Sequence, residues 1–223
     1  MGTVISLMSL NNPRIHGKAP FNVAVIHGGP GTGGGMAPVA RELAYTLGVL
    51  EPIQTEATLK GQVEELKTVL GNCAELPVVL IGFSWGAWLS YMLAARYPRY
   101  VKKLILVGSG GFTEEYAAMT QKTRLNRLKH AEKDELKQVL EILKASSEDE
   151  KNRAFARMGE MFSRVDWFDP IEHTPEKIEF RADVFQCVWK EAMELRRDTR
   201  VFIVTEIKTK ETALRQPDWL TTR

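Results

Sequence analysis

Several features that would assign a function directly are scarce in this 223-residue sequence. Only two cysteines occur, Cys73 and Cys187, and no CxxC or Cys/His spacing surrounds them, which argues against a disulfide framework and a zinc site. Acidic and basic residues nearly balance at a formal charge of +2, so no strong field favours nucleic acid or a membrane surface. We therefore expect no metal, no nucleic acid and no membrane partner.

Long apolar runs are missing as well. No run approaches the roughly 18 consecutive apolar residues of a membrane-spanning helix. The N-terminal stretch MGTVISLMSLNNPRI lacks the charged start and the cleavage site of a signal peptide. These absences predict a cytoplasmic protein, and the chain length favours one core with an insertion over two separate domains.

Short β-branched runs alternate with amphipathic segments in the first half of the chain. The runs FNVAVIHGG (21–29), GVLEPI (48–53), PVVLIGF (77–83) and VKKLILVGSGG (101–111) predict strands. Apolar residues at helical spacing predict helices over 36–47, 63–70 and 85–97. This alternation predicts an α/β fold whose core, residues 1–111, contains a mostly parallel sheet.

The pattern changes between residues 112 and 196, where helical stripes replace the strand runs and predict a helical cap inserted into the core. The cap's aromatic and methionine side chains suit a pocket lining, although their helical spacing is more typical of a core. One further strand candidate, VFIVTEI (201–207), lies in the remaining segment, 197–223, which we expect to be a short continuation of the core.

A G-x-S-x-G pattern, formed by Gly82, Ser84 and Gly86, joins a predicted strand to a predicted helix. In such a sharp turn the serine adopts a strained backbone conformation and its hydroxyl projects above the sheet. The following helix points its N-terminus at the same place, so the amide of Trp85 can stabilise an oxyanion. The pattern predicts that Ser84 is a nucleophile; an ordinary strand–helix turn with a serine cap is the alternative.

A second glycine-rich motif, HGGPG (27–31), follows a strand that we expect to lie beside the Ser84 strand. Its backbone, at the N–H of Gly29, is the candidate second oxyanion donor, and Gly28 belongs to the same turn. His27 belongs to this oxyanion segment and precedes the nucleophile, so we expect it to fix the loop rather than to act as a base.

The same loop also permits a dinucleotide site. Gly29, Gly31 and Gly34 fit G-x-G-x-x-G after a strand, and Glu51 follows about twenty residues later. Pro30 removes one of the amides that a pyrophosphate would use, and this alternative leaves the Ser84 turn and the helical insertion unexplained.

HGGPG, the SWG after Phe83, ARYP, VKKLILVGSG and the helical cap together resemble the α/β-hydrolase superfamily, and HGGPG with SWG is similar to its proline iminopeptidase-like branch. The resemblance covers about residues 15 to 196. It implies a cofactor-independent serine hydrolase with Ser84 as nucleophile, the amides of Trp85 and Gly29 as oxyanion donors, and the cap as a lid. The implied substrate is a small molecule or short peptide carrying an ester or amide, including an N-terminal peptide bond. Phe83 departs from the branch, in which small or polar residues are common at that position.

The acid and the base of a triad are hard to find. The superfamily order is Ser, acid, His, with both partners after the cap, yet no histidine follows the cap; the four are His16, His27, His130 and His173. Glu206 is the candidate acid, and His173, with His130 as a second choice, is the candidate base. The alternatives are a disabled chain, truncated or frame-shifted near Arg196, completion by a second subunit, and a non-catalytic protein that binds a small molecule or a partner.

The last strands and the final helix of the superfamily fold are not recognisable in residues 197–223. Their absence would leave a sheet edge uncovered, and uncovered strand edges tend to pair with other chains. We therefore expect a homo-oligomer formed through that edge.

Overall fold

The central sheet has five strands in the order β1-β4-β2-β5-β6. The computed structural model describes residues 12–167 and 176–197. The strands are β1 (Arg14–His16), β2 (Phe21–Ile26), β4 (Gly48–Glu51), β5 (Val78–Phe83) and β6 (Val101–Val107). All neighbours pair in parallel except β1, which is antiparallel to β4. A separate antiparallel pair joins β3 (Thr32–Gly33) to β7 (Glu179–Phe180).

Helices connect the parallel strands and then form most of the region after β6. The first three are α1 (Ala37–Leu43), α2 (Leu59–Cys73) and α3 (Trp85–Arg96), and a short 3-10 turn, Pro98–Tyr100, leads into β6. The later helices are α4 (Glu114–Arg127), α5 (His130–Ala145), α6 (Glu148–Asp166) and α7 (Ala182–Arg197). The predicted α/β class with a mostly parallel sheet is confirmed.

The two faces of the sheet are buried by different helices because successive strand side chains point to opposite faces. Ala24 and Ile26 of β2 pack in one apolar cluster with residues of α2 and α3. Val23 and Val25 of the same strand pack in another cluster with Met36 and α1. A strand that is apolar on both faces is typical of a parallel sheet covered on both sides.

The cap region consists of two packing units. Apolar residues of α5 and α6 form a second cluster, joined by Ala182 at the start of α7, whereas Val184, Val188 and Ala192 of α7 belong to the main core cluster. The limits 112–196 for the cap stay a prediction. The two-residue strand β7 lies within this region and is too short to produce a periodic pattern in the sequence.

One edge of the sheet ends at β6, which pairs with β5 and with no other described strand. Its side chains are only partly covered; Leu106 is 40% exposed and Val107 45%. The candidate strand at 201–207, which contains Glu206, lies outside the described residues. Within 12–167 and 176–197, no helix has the length and apolar character needed to cross a membrane.

Candidate active site

The turn between β5 and α3 holds Ser84 in an uncommon backbone conformation. Its φ of 52° and ψ of −114° make it the one non-glycine residue with a positive φ among those described. The Ser84 N–H donates to the carbonyl oxygen of Val107 at 3.0 Å, which ties the turn to the end of β6. Conformations of this kind cost of order 1–3 kcal/mol and persist when the surroundings impose them.

Close packing on either side of Ser84 requires glycine. A Cβ atom placed on Gly82 would lie 2.3 Å from the carbonyl oxygen of Gly86, and one on Gly86 would lie 2.2 Å from that of Ile26. The start of α3 therefore rests directly on the backbone of β2 and β5. Any larger residue at these two positions would push the helix away from the sheet.

The HGGPG loop meets this turn because β2 and β5 are neighbouring parallel strands, as predicted from the sequence. A Cβ atom on Gly28 would lie 3.0 Å from the Ser84 Cβ, so the loop backbone passes directly beside the serine. The Thr32 N–H donates to the Gly29 carbonyl oxygen at 3.1 Å, closing a turn in which Gly31 has a φ of 75°. Proline followed by a positive-φ glycine is the pattern of a type II turn.

Side chains hold the loop in place. The Thr32 hydroxyl donates to the carbonyl oxygen of Gly29 at 2.9 Å and also contacts that of Gly28. The fully buried His27 donates from Nδ1 to the Gly28 carbonyl oxygen at 3.1 Å, and its Nε2 accepts from the Gln54 N–H at 3.2 Å. The Gln54 amide donates in turn to the His27 carbonyl oxygen at 3.0 Å.

Burial lowers the pKa of His27 to about 4, and the nearby Arg14 charge acts in the same direction. The ring is therefore neutral at pH 7, and both of its nitrogens already have partners. This arrangement agrees with a loop-fixing role for His27 and leaves no ring nitrogen to accept a proton from Ser84.

Residues of the region predicted to be a cap also contact the loop. Strand β7 pairs with β3, and the Arg181 N–H donates to the Gly31 carbonyl oxygen at 2.8 Å. A Cβ atom on Gly31 would lie 2.5 Å from the Arg181 carbonyl oxygen, and one on Gly34 would lie 2.9 Å from that of Lys177. Protein backbone thus occupies the space that a pyrophosphate would need above these glycines, which weakens the dinucleotide alternative.

Glu51, the acidic residue of that alternative, is fully buried and lies 3.1 Å from His16, measured between Glu51 Oε2 and His16 Nε2. It offers no exposed carboxylate for a ribose. No group of three or more His, Cys, Asp or Glu side chains in the described ranges is arranged to hold a metal ion.

The two residues that flank Ser84 point in different directions. The indole of Trp85 is buried and donates to the Gln62 side-chain oxygen at 3.0 Å, while its backbone N–H opens α3 at the turn. Phe83 packs in the opposite, α1-side cluster. The amides of Trp85 and Gly29 thus belong to the two turns that meet at Ser84, and their role as oxyanion donors stays a prediction.

The proton-accepting half of a triad is not present among the described residues. The Ser84 hydroxyl has no hydrogen-bond partner there. His16 is paired with Glu51, His27 is enclosed, and the His130 side chain is 95% exposed and lies 3.6 Å from Asp134 on the same helix. The two sequence candidates, His173 and Glu206, lie outside the described residues.

Thr32 and Gln54 were not identified from the sequence as residues that hold the loop. A threonine directly after Pro-Gly is a weak signal of a hydroxyl that closes the turn. Gln54 carries no local signal at all, because its contact with His27 arises from the pairing of β4 with β2.

A family model described as alpha/beta hydrolase fold matches residues 76–158, from the start of β5 into α6. The chain is similar to the solved structures of a marine microorganism esterase (17% identity, 82% of this chain and 72% of that one, TM-score 0.47) and a thioesterase domain from the curacin biosynthetic pathway (18% identity, 82% and 72%, TM-score 0.44).

It is also similar to an epoxide hydrolase from Bacillus megaterium (17% identity, 59% of this chain, TM-score 0.39), of which it covers 46%. The chain thus spans less than half of that enzyme. No curated protein sequence matches the chain. These similarities concern the fold, and they carry no argument about the substrate.

Proposed function

We propose that this chain is a serine hydrolase of the α/β-hydrolase superfamily that cleaves a small ester or amide through an acyl-enzyme on Ser84. The observation that carries the proposal is the meeting of two turns: Gly28 of one touches the strained Ser84 of the other. A glycine loop beside a serine in a sharp strand–helix turn is the arrangement that acyl transfer uses.

In the proposed reaction, Ser84 Oγ adds to the substrate carbonyl carbon while its proton passes to a base. The alcohol or amine then leaves with a proton, and water hydrolyses the acyl-serine to release the acid and restore the hydroxyl. The amides of Trp85 and Gly29 would stabilise the negative oxygen, and one such donor is typically worth about 3 kcal/mol. His173 as base and Glu206 as acid remain the sequence-based candidates.

The finer parts of the proposal come from the sequence motifs. HGGPG and SWG are similar to motifs of the proline iminopeptidase-like branch. We therefore include N-terminal peptide bonds among the candidate substrates. The proposal also includes a cytoplasmic location and a reaction without metal or organic cofactor.

A non-catalytic protein that binds a small molecule or a partner in the same cleft is the second candidate. It is favoured by one observation, namely that none of the described histidines is hydrogen-bonded to Ser84. A fold that retains the nucleophile turn without its base would bind ligands there and turn them over very slowly.

Labelling with a fluorophosphonate probe separates the two candidates, because this reagent needs an activated serine. We expect the native chain to be labelled, labelling to disappear in Ser84→Ala, and labelling to persist in Ser163→Ala, which removes an exposed serine on α6. Absence of labelling in the native chain would support the non-catalytic candidate.

We also propose self-association of two copies through the outer edge of β6. This seven-residue strand has no described partner on that edge, and an edge of this length presents a row of unpaired N–H and C=O groups. Antiparallel pairing of β6 from one copy with β6 from the other, about a two-fold axis, would provide hydrogen-bond partners for the edge N–H and C=O groups of both copies.

Sedimentation at tens of micromolar tests this pairing. Leu106→Lys places a charge on the strand and is expected to shift the protein towards monomer. Leu140→Lys is the control. Leu140 lies on α5 and is 43% exposed, compared with 40% for Leu106, and its substitution is expected to leave association unchanged. A native chain that sediments as a monomer would contradict the proposal.

A further inference from the structure

An aromatic pair lies directly beside the proposed nucleophile. Phe83 is the last residue of β5, adjacent in sequence to Ser84, and its ring stacks on that of Trp167 at the C-terminal end of α6. The ring centroids are 6.1 Å apart and the planes differ by 9°. This contact joins the nucleophile turn to the cap.

Two glycines make room for the Phe83 ring. A Cβ atom on Gly28 would lie 3.0 Å from the ring, and one on Gly108 would lie 3.2 Å from it. The ring therefore occupies a slot between the ends of β2 and β6, where a side chain on either neighbour would displace it. Trp167 covers it from the cap side and is itself 53% exposed.

The other large aromatic residue beside the serine has a different role. Trp85 is almost fully buried, bonds to Gln62 and meets Trp189 edge-on at 6.3 Å. It stabilises the core under α3, whereas the Phe83–Trp167 pair reaches the surface beside Ser84. The difference makes the pair, rather than Trp85, the group that a substrate can touch.

We propose that Phe83 and Trp167 form an aromatic subsite that binds the planar, aromatic part of the substrate next to the scissile bond. Parallel rings favour a third planar group in an offset stack with one of them. A saturated ring of the same size is thicker and lacks the π face, so it fits less well. This inference rests on the proposed function for the identity of the reacting bond.

Binding to the Ser84→Ala variant tests the subsite without turnover. The probes are methyl 2-naphthoate and its saturated analogue, methyl decahydro-2-naphthoate, with dissociation constants measured by NMR titration. We expect the planar ester to bind about 5-fold more tightly, a preference of the size that aromatic stacking supplies. Equal binding of the two esters would overturn the inference.

Three further variants, each made in the Ser84→Ala background, locate the effect. Phe83→Leu and Trp167→Leu keep an apolar side chain and should each reduce the preference to about 2-fold or less. Tyr116→Leu removes an exposed aromatic ring on α4 that has no ring contact with Phe83 or Trp167, and should leave the preference unchanged. Trp167 is more than half exposed, so its variant should fold even if Phe83→Leu does not.

The two proposals fail in different ways. If Ser84 is not a nucleophile, fluorophosphonate labelling is absent while the preference for the planar ester remains. If the subsite is wrong, labelling occurs and the preference is absent or survives both Phe83→Leu and Trp167→Leu.

Discussion

The two glycine-rich turns that meet at the candidate site are held by opposite means. The Ser84 turn is fixed by its own backbone, through a strained φ and two glycines that allow α3 to rest on the sheet. The HGGPG loop is held largely by side chains, those of His27, Gln54 and Thr32, and by its pairing with strand β7. The residues that mark the first turn lie within five positions of the sequence, whereas the second turn depends mainly on side chains that meet only in the folded chain.

The largest effect is expected at the glycine that carries the first turn. Gly86→Ala would place a Cβ atom 2.2 Å from the Ile26 carbonyl oxygen, and we expect a loss of about 3 kcal/mol in the free energy of unfolding. Urea denaturation measures the loss. Gly35→Ala is the matched control, because no atom lies within 4 Å of that position and its φ is not positive, and a comparable loss there would contradict the argument.

The loop, in contrast, should respond to pH through His27. Its folded pKa of about 4 lies below the ordinary 6.5, so the unfolded chain binds more protons between these values. The stabilisation is complete above pH 6.5 and falls as the pH drops towards 4, amounting to about 2.5 kcal/mol between pH 7 and 4.5.

Urea denaturation at several pH values should show a shallower fall for His27→Gln than for the native chain. The exposed His130 provides the control, since His130→Gln is expected to retain the native pH dependence. An unchanged profile in His27→Gln would show that other groups cause the fall.

A smaller effect is expected from relieving the strain at Ser84. Glycine tolerates a positive φ, so Ser84→Gly should be more stable than Ser84→Ala by about 1 kcal/mol. At Ser163, on the exposed face of α6, the order should be reversed, because alanine is the better helix former. The same order at both positions would mean that the Ser84 turn stores no strain.

An effect of similar size is expected at Thr32. Thr32→Val keeps the shape but removes the hydroxyl that bonds to Gly29, and we expect a loss of about 1 kcal/mol together with slower fluorophosphonate labelling. Thr120→Val removes a hydroxyl on exposed α4 and should leave labelling unchanged. Unaltered labelling in Thr32→Val would show that the Thr32 hydroxyl does not help to position the site.

The sequence predicted the central part of the fold because the buried strands carry strong patterns. The runs that became β2, β5 and β6 are rich in β-branched and other apolar residues, and glycines or a proline bound them, so both their existence and their neighbours could be inferred. The short strands β1, β3 and β7 have two or three residues each, too few to form a period.

The features of the candidate site also differ in whether a local sequence pattern predicts them. The proximity of HGGPG to Ser84 followed from the adjacency of β2 and β5. The stacking of Trp167 on Phe83 and the bond from Gln54 to His27 join residues far apart in sequence. No local pattern records such pairs, and one sequence alone contains no other signal for them.

The pairing of β7 with β3 joins the region after β6 to the loop beside the serine. The chain leaves the core after β6 and returns at Arg181, whose amide bonds to Gly31. Hydrogen exchange at that amide would therefore report two events at once, since a fluctuation that releases the returning strand also frees the backbone that shapes the site. We therefore expect release of the returning strand and loosening of the HGGPG loop to occur together.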